Sequence, residues 1–463
     1  MNTETKHIHI VGICGVATSA LAIAFKKKGW KVTGSDKGFY PPVSTELEKN
    51  EVEFYAGWHP EKMDKPDVVM MGGSGTSPSN PEIMYAKENN IPLISFAEAL
   101  GTYAIQKNSI VAAGTWGKTT SSSLLSFILI QAGMDPSYFS GGVSLSHASA
   151  AITDSDWSVV EGDEYQTSIS DKKPKFAYYK PTHLLLTSVS WDHADLYPTE
   201  AEYFLAFEKL VKGIPERGLI VACIDDNGVR KVLEATGRKA VSYGIAENAD
   251  YSCRDVKHSR GGLAFSIHHG GEAYHVKSSM LGRFNAENIT ACFAMAHQIG
   301  IKPEVITKAI DDFKGIKRRF ERRLEGEVTV LDCHAPTAEK AAAILHSMRE
   351  VYDKKIIAIY EPNIGGRQRA SMRAYDNAFA DTDLVIIPRL TKLKVSEDAA
   401  NVAMEGDELA NVIAETQKNV SYVDDDATLV DVAISQAKKG DVIVFLGSHG
   451  FRGMIEEVVR KLS

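Results

Sequence analysis

The stretch Ser109-Ile110-Val111-Ala112-Ala113-Gly114-Thr115-Trp116-Gly117-Lys118-Thr119-Thr120 sets an apolar strand against a glycine turn ending in Gly-Lys-Thr, and the helical pattern Ser121 to Gln131 follows. A strand, such a turn and a helix together wrap phosphate oxygens with backbone N–H groups at a helix N-terminus. Gly114, Thr115, Gly117, Lys118, Thr119 and Thr120 are thus candidate nucleotide-binding residues. Lys118 is placed to pair with the β- and γ-phosphates, and the Thr119 hydroxyl to ligate Mg²⁺. Two residues separate Gly114 from Gly117, fewer than the four of the usual phosphate loop. An ordinary glycine turn is the alternative, but the strand and helix stand on the sides that phosphate binding requires.

Outward from this loop, short apolar runs alternate with helix-period segments along most of the chain, the pattern of parallel sheets covered by helices. The fold class is α/β, with three sequential α/β domains: a Rossmann-like one over residues 1–107, a central phosphate-loop one over 108–325, and a second Rossmann-like one over 326–463. In the first, strands are expected at His7 to Gly12, Lys31 to Ser35, Asp67 to Met71 and Pro92 to Phe96. In the second they fall at Ser158 to Val160, Leu184 to Leu186 and Leu219 to Ala222, with hairpins around Gly261-Gly262 and Gly270-Gly271. The third restarts the alternation at Val328 and closes with the strand Val442 to Leu446 and a helix to Ser463.

Polar clusters sit where those strands end, the edge at which α/β sheets hold ligands. Glu161-Gly162-Asp163-Glu164 follows one strand and Ser190-Trp191-Asp192-His193-Ala194-Asp195 another. Each alone reads as a solvated loop with capping acids; beside a phosphate loop they become candidate ligands for Mg²⁺, which prefers hard oxygen donors. Gly12-Ile13-Cys14-Gly15 opens a helix after the first strand, and Asp36 ends the second. This dinucleotide-type pattern lacks its third glycine, with Ala17 and Thr18 standing there, and points to a phosphate-bearing ligand or to a simple turn. Asn285 and Asn288 flank a helix start and Arg319 ends the run Lys317-Arg318-Arg319; caps and a solvated face are the alternatives. Asp332-Cys333-His334-Ala335-Pro336-Thr337 joins strand to helix, and Gly447-Ser448-His449-Gly450-Phe451-Arg452-Gly453 closes the last sheet.

Composition narrows the classes. At 463 residues the chain needs no staples. A net charge of −8 with scattered basic residues leaves no nucleic-acid footprint. No segment approaches the roughly 20 apolar residues of a membrane span. Met1 to Lys6 runs straight into a strand without the parts of a signal peptide, so the expected location is cytoplasmic. Five cysteines with no CxxC pair suggest structural thiols.

The ordered set of motifs resembles the Mur ligase superfamily, ATP-dependent amide-bond-forming enzymes of peptidoglycan synthesis, and covers essentially the whole chain. The loop Gly114 to Thr120 looks like that superfamily's ATP loop, with Trp116 where relatives usually carry His. The spellings Ile8 to Gly15, Gly34-Ser35-Asp36, Tyr40-Pro41-Pro42-Val43-Ser44-Thr45, Glu161 to Tyr165 and Trp191 to Asp195 look more like the muropeptide-recycling branch than the L-alanine-adding one. The resemblance implies ligation of the tripeptide L-Ala-γ-D-Glu-meso-diaminopimelate to UDP-N-acetylmuramate through an acyl phosphate, with ATP and Mg²⁺. The alternative is the L-alanine ligase.

The resemblance also implies residue roles. Gly12, Gly15 and Asp36 hold the UDP-sugar; Thr119, Glu161 and His193 hold Mg²⁺; Lys118 serves the phosphates. Asn285 and Asn288 lie on the purine side, Arg319 contacts phosphate, Asp332 holds the ribose, and the third domain closes over ATP and amine. Arg367 and Arg369 are candidates for the carboxylates of the amine substrate. Lys118, His193 and Arg319 are the expected catalytic set. Relatives carry paired Asp and paired His where this chain has Leu331-Asp332-Cys333-His334-Ala335, and Asn and Glu where it has Ser188 and Ser190. The run Asn363 to Arg369 retains arginines in an unusual spelling, so amine specificity stays open. Two other classes compete: a non-catalytic UDP-sugar-binding module, which would bind without turnover, and an oxidoreductase using the N-terminal glycine turn, which leaves the Gly-Lys-Thr loop unexplained.

Overall fold

The structure, a computed structural model, describes residues 6–72, 77–168, 170–193, 196–391 and 403–463. Ala194 and Asp195, the end of one polar cluster, lie outside the described residues, as do Met1 to Thr5. Three sheets follow one another along the chain. The first holds β1 (His7–Val11), β2 (Lys31–Asp36), β3 (Glu53–Ala56), β4 (Val68–Met71) and β5 (Leu93–Ser95) in the order β3-β2-β1-β4-β5, all parallel. Strand order reverses beside β1, so the glycine turn after β1 opens at the switch point where such sheets bind ligands.

The second sheet holds β6 (Asn108–Ala113), β7 (Ser137–Phe139), β8 (Ala150–Ala151), β9 (Trp157–Gly162), β10 (His183–Leu186), β11 (Ile220–Cys223), β12 (Val241–Gly244), β13 (Tyr251–Ser259), β14 (Gly262–His269) and β15 (Glu272–Ser278). Their order is β15-β14-β13-β12-β11-β10-β6-β9-β7-β8. β6 lies between β10 and β9, parallel to both, and Ile110 to Ala113 are fully buried, as a strand covered on both faces requires.

The third sheet holds β16 (Glu321–Glu325), β17 (Thr329–His334), β18 (Ile356–Glu361), β19 (Leu384–Pro388), β20 (Val420–Val423) and β21 (Val442–Gly447), ordered β16-β17-β21-β18-β19-β20. β16 runs antiparallel to β17 and the other pairs are parallel. This sheet therefore begins at Glu321, ahead of residue 326. Successive residues point to opposite faces, so Leu331, Ala358, Tyr360, Val442 and Val444 join one core while Val330, Ile357, Ile359, Ile443 and Phe445 join another.

By packing, the chain forms two compact units. One comprises Met1–Val256, Ala264–Ser278 and Phe284–Lys314; the other comprises Lys257–Leu263, Ser279–Arg283 and Gly315–Ser463. In the first unit a single apolar cluster runs from Ile8, Ile10 and Phe25 through Val111, Val160 and Leu184 to Val232, so the first two sheets share a core. Among the described residues, no helix is long and apolar enough to cross a membrane.

The first sheet is tied from below by a buried carboxylate. Glu82, on the helix Pro81–Glu88, accepts at Oε1 from the Tyr55 hydroxyl and the His59 N–H, each at 2.8 Å. At Oε2 it takes the Ser35 hydroxyl and faces His9 Nε2 at 3.4 Å. Burial works to raise the Glu82 carboxyl, but His9, Ser35, His59 and Tyr55 outweigh it and hold it below the usual range. Such a group adds stability above its unfolded pKa, lost as pH falls through the lower folded value. We expect Glu82→Ala to lower the free energy of chemical unfolding by about 3–5 kcal/mol at neutral pH, as for one partner lost from a buried network. The gap from the parent protein should narrow below about pH 4, where the unfolded carboxyl protonates.

Candidate active site

The loop between β6 and the helix Lys118–Gln131 is shaped by two glycines. Gly114 has φ +142° and Gly117 φ +83°, values in the region that favours residues without a Cβ. A Cβ on Gly114 would collide with the Thr187 hydroxyl, and one on Gly117 would lie 2.5 Å from Asn288 Oδ1. The Asn288 amide, which donates to Asn285 Oδ1 at 3.2 Å, therefore closes one side of the loop. The other side is stitched to the end of β10. The Trp116 N–H donates to Ser188 Oγ at 2.9 Å, the Thr187 hydroxyl donates to the Trp116 carbonyl at 2.5 Å, and the Thr115 hydroxyl donates to the Ser190 carbonyl at 2.9 Å. The Ser188 hydroxyl and the Ser190 carbonyl thus hold the phosphate loop. The loop presents an open glycine turn at the N-terminus of the helix Lys118–Gln131, the setting in which backbone N–H groups meet phosphate oxygens.

The charged groups converge beside it. Lys118 Nζ donates to the Gly114 carbonyl at 2.7 Å, the Thr115 carbonyl at 3.1 Å and Glu164 Oε1 at 3.0 Å. The Thr119 hydroxyl donates to Glu161 Oε1 at 2.9 Å, and the Gly141 N–H to Glu161 Oε2 at 2.6 Å. Burial pushes the Glu161 carboxyl above its usual range. Burial also works to raise Asp163, but the Lys175 ammonium 2.5 Å away outweighs it and holds that carboxyl low. His193, at φ +56°, has its Nε2 3.6 Å from Glu164 Oε1, and this contact raises the imidazole pKa. The structure pairs Thr119 with Glu161, whereas His193 contacts Glu164, which in turn bonds Lys118. The Thr119–Glu161 pair supplies the hard oxygen donors that suit Mg²⁺.

A cleft of about 830 Å³ in the same unit runs from the first sheet to this carboxylate. Its lining includes Gly12, Gly15, Asp36 and Lys37 from the first sheet's turns, Asn80 and Phe96, and Gly141, Glu161, Asp163 and Lys175 from the second sheet's side. The turn stays open because Gly12 takes φ +85°, and Asp36 steadies it by accepting from the Cys14 N–H at 2.8 Å.

In the other unit the sequence candidates take different places. Asp332, at the end of β17, is buried, and burial raises its carboxyl. Arg318, next to the expected Arg319, bonds it: Nε donates to Asp332 Oδ1 at 3.3 Å, while Nη2 donates to the carbonyls of Gly447 and His449, each at 2.8 Å. Arg319 faces His334, whose imidazole is pushed down to about 4 by burial and by the charges of Arg319 and Arg318. Arg367 does not present its charge to solvent. It is buried, donating to the Met404 carbonyl at 2.9 Å and the Thr391 carbonyl at 3.0 Å, so its guanidinium holds chain segments together. Arg369 opens the short helix Arg369–Tyr375. Sequence reasoning had not singled out Lys175 or Gly141, had named Glu164 only as a member of the acidic cluster offered as magnesium ligands, and had named Arg318 only as a member of the basic run.

Three family models match the chain: the Mur ligase family catalytic domain over residues 7–108, the Mur ligase middle domain over 112–296, and the Mur ligase glutamate ligase domain over 318–449. A UDP-N-acetylmuramate–L-alanyl-γ-D-glutamyl-meso-2,6-diaminoheptandioate ligase of Haemophilus influenzae is 28% identical over 465 residues, 99% of each chain. A UDP-N-acetylmuramate–L-alanine ligase of a Bradyrhizobium species is 30% identical, with 96% of this chain and 95% of that one covered. The crystal structure of a UDP-N-acetylmuramate–alanine ligase from Thermotoga maritima superposes with a TM-score of 0.79 at 22% identity, over 99% of both chains.

Three expected outcomes test the site directly. Gly117→Ala should weaken ATP binding about tenfold, because a β-carbon costs roughly 1–2 kcal/mol in the left-handed region and here also meets Asn288; titration calorimetry measures it. Lys118→Ala should lower turnover by roughly 10²–10³, the usual cost of one charge-stabilising group, with UDP-sugar binding retained. Glu161→Gln and His193→Ala should each raise the magnesium concentration needed for half-maximal turnover, and an unchanged magnesium titration would remove that residue from the metal shell.

Proposed function

We propose that this chain, which belongs to the Mur ligase family and is an ATP-dependent, amide-bond-forming ligase of peptidoglycan biosynthesis, joins an amine to the carboxylate of UDP-N-acetylmuramate. The observation that carries this reading is the single cleft linking the glycine turn of the first sheet to Glu161 beside the phosphate loop. A nucleotide-sugar anchored at Gly12, Gly15 and Asp36 has its far end directed toward Thr119, Glu161 and Lys118.

A carboxylate resists acylation because its oxygen does not leave; ATP supplies the phosphoryl group that makes this oxygen a leaving group, and the amine then displaces phosphate to form the amide. The protein's part is positioning and charge neutralisation. Backbone N–H groups at the start of the helix Lys118–Gln131 cradle phosphate oxygens, Lys118 neutralises their charge, and Asn285 and Asn288 flank the purine. Thr119, Glu161 and His193 would hold Mg²⁺, whose charge would screen phosphates and carboxylate from each other. Lys175 keeps Asp163 ionised at the cleft wall.

For the amine, L-alanine is the favoured reading, since ligases that use it recur among the similar proteins. This shifts the expectation drawn from the motif spellings. The tripeptide reading keeps specific support from the Haemophilus influenzae relative and from Tyr40-Pro41-Pro42 and Asp192-His193. Phosphate release measured with ATP, Mg²⁺, UDP-N-acetylmuramate and each amine separates them. The expected result is a higher kcat/KM with L-alanine; a higher value with the tripeptide assigns the chain to muropeptide recycling, and turnover with neither overturns both amines.

A further inference from the structure

Glu164 is 1% exposed, yet its carboxylate serves two groups of the phosphate site at once. Lys118 Nζ lies 3.0 Å from each of its oxygens, and His193 Nε2 lies 3.6 Å from Oε1. Oε2 makes no hydrogen bond of good geometry and is itself buried. The residue is fixed from behind. The Tyr197 hydroxyl donates to the Glu164 carbonyl at 2.6 Å, and the preceding Asp163 is pinned by Lys175 and by the Tyr165 N–H at 2.9 Å. An ammonium has three donors, and those of Lys118 go to the Gly114 carbonyl, the Thr115 carbonyl and Glu164. Phosphate oxygens that take Lys118 must compete with an anion that cannot follow it.

We infer that Glu164 is a positioning residue shared by two halves of the site: its carboxylate restrains the Lys118 ammonium and orients the His193 imidazole, so that it opposes nucleotide affinity while supporting turnover. This rests on the reading of the Gly114–Thr120 loop as the ATP site. A residue with only a packing role, once altered, lowers affinity and turnover together. A shared counter-ion moves them in opposite directions.

Glu164→Gln keeps the size and one acceptor but removes the charge. Titration calorimetry with ATP and Mg²⁺ should show binding roughly tenfold tighter, the scale of one close ion pair relinquished by Lys118. Under saturating substrates kcat should fall about 10- to 100-fold, the usual cost of losing the group that orients a metal-site histidine. Glu164→Asp keeps the charge but shortens its reach; it should move both quantities the same way by less, and it carries the test should the Gln variant not fold. Thermal melting identifies the folded variants. Unchanged or weaker ATP binding in a folded variant overturns the inference, as does tighter binding with kcat unchanged. Failure of the parent protein to bind ATP would instead overturn the assignment of the loop on which the inference stands.

Discussion

A glycine turn that must stay open for phosphate has little side-chain bulk of its own with which to hold itself in place. The Gly114–Gly117 turn is therefore fixed from outside, by the end of β10 and by Asn288, and the rest of the first unit is arranged around that need. β10 can reach the loop because it pairs with β6 in parallel, so both strands end at the same edge. Thr187, Ser188 and Ser190 then supply hydroxyls and carbonyls at hydrogen-bond distance from Thr115 and Trp116. The Tyr203 hydroxyl, 2.9 Å from Thr115 Oγ1, extends the same support into the apolar core. The glycines keep the space open, and the hydroxyl-bearing neighbours keep it shaped.

Buried charge is handled in each part of the molecule by the same physical rule: an ion removed from water is retained where several partners surround it. Glu82 under the first sheet, Glu164 beside the phosphate loop and Glu361 at the end of β18 are each at most 1% exposed. Glu361 accepts from the Thr391 N–H and hydroxyl at 2.9 and 2.6 Å and pairs with Arg452 at 3.0 Å. In the first case the carboxylate braces a helix that reaches the cleft wall. In the second it lies in the site, and in the third it ties two loops at the ligand-facing edge of a sheet.

The α/β class and the principal parallel strands were legible because strands buried on both faces are written as unbroken apolar runs, such as Ile110 to Ala113 and Val442 to Leu446. Strands at the margins were not. Glu53–Ala56, Ser137–Phe139 and Val420–Val423 are short, and the first and last of them are largely unburied, so no hydrophobic period marks them. In the site, residue types tied to backbone shape could be read: glycines in the turn, and Lys118 and Thr119 just after it. What failed to show was the direction of charged side chains. Arg318 and Arg319 are neighbours in sequence with identical chemistry, and only the path of the chain, with Arg318 at φ +60°, sends Arg318 to Asp332 and the Gly447–His449 carbonyls. Arg367 likewise reads in sequence as a candidate for the substrate's carboxylates, but its Nε and Nη1 donate to main-chain carbonyls.

Trp116 shows what such support leaves unconstrained. Its N–H and its carbonyl are both engaged by the end of β10, while the residue as a whole is 54% exposed. Because the loop is held at this position through atoms that every residue except proline possesses, the identity of the side chain is decoupled from the shape of the cradle. Position 116 is therefore a site of mutational tolerance inside an otherwise restrictive segment. A lineage can exchange a small polar ring for a large indole there without rebuilding the loop, whereas the glycines on either side, occupied by neighbouring atoms on the face where a side chain would stand, admit no such drift.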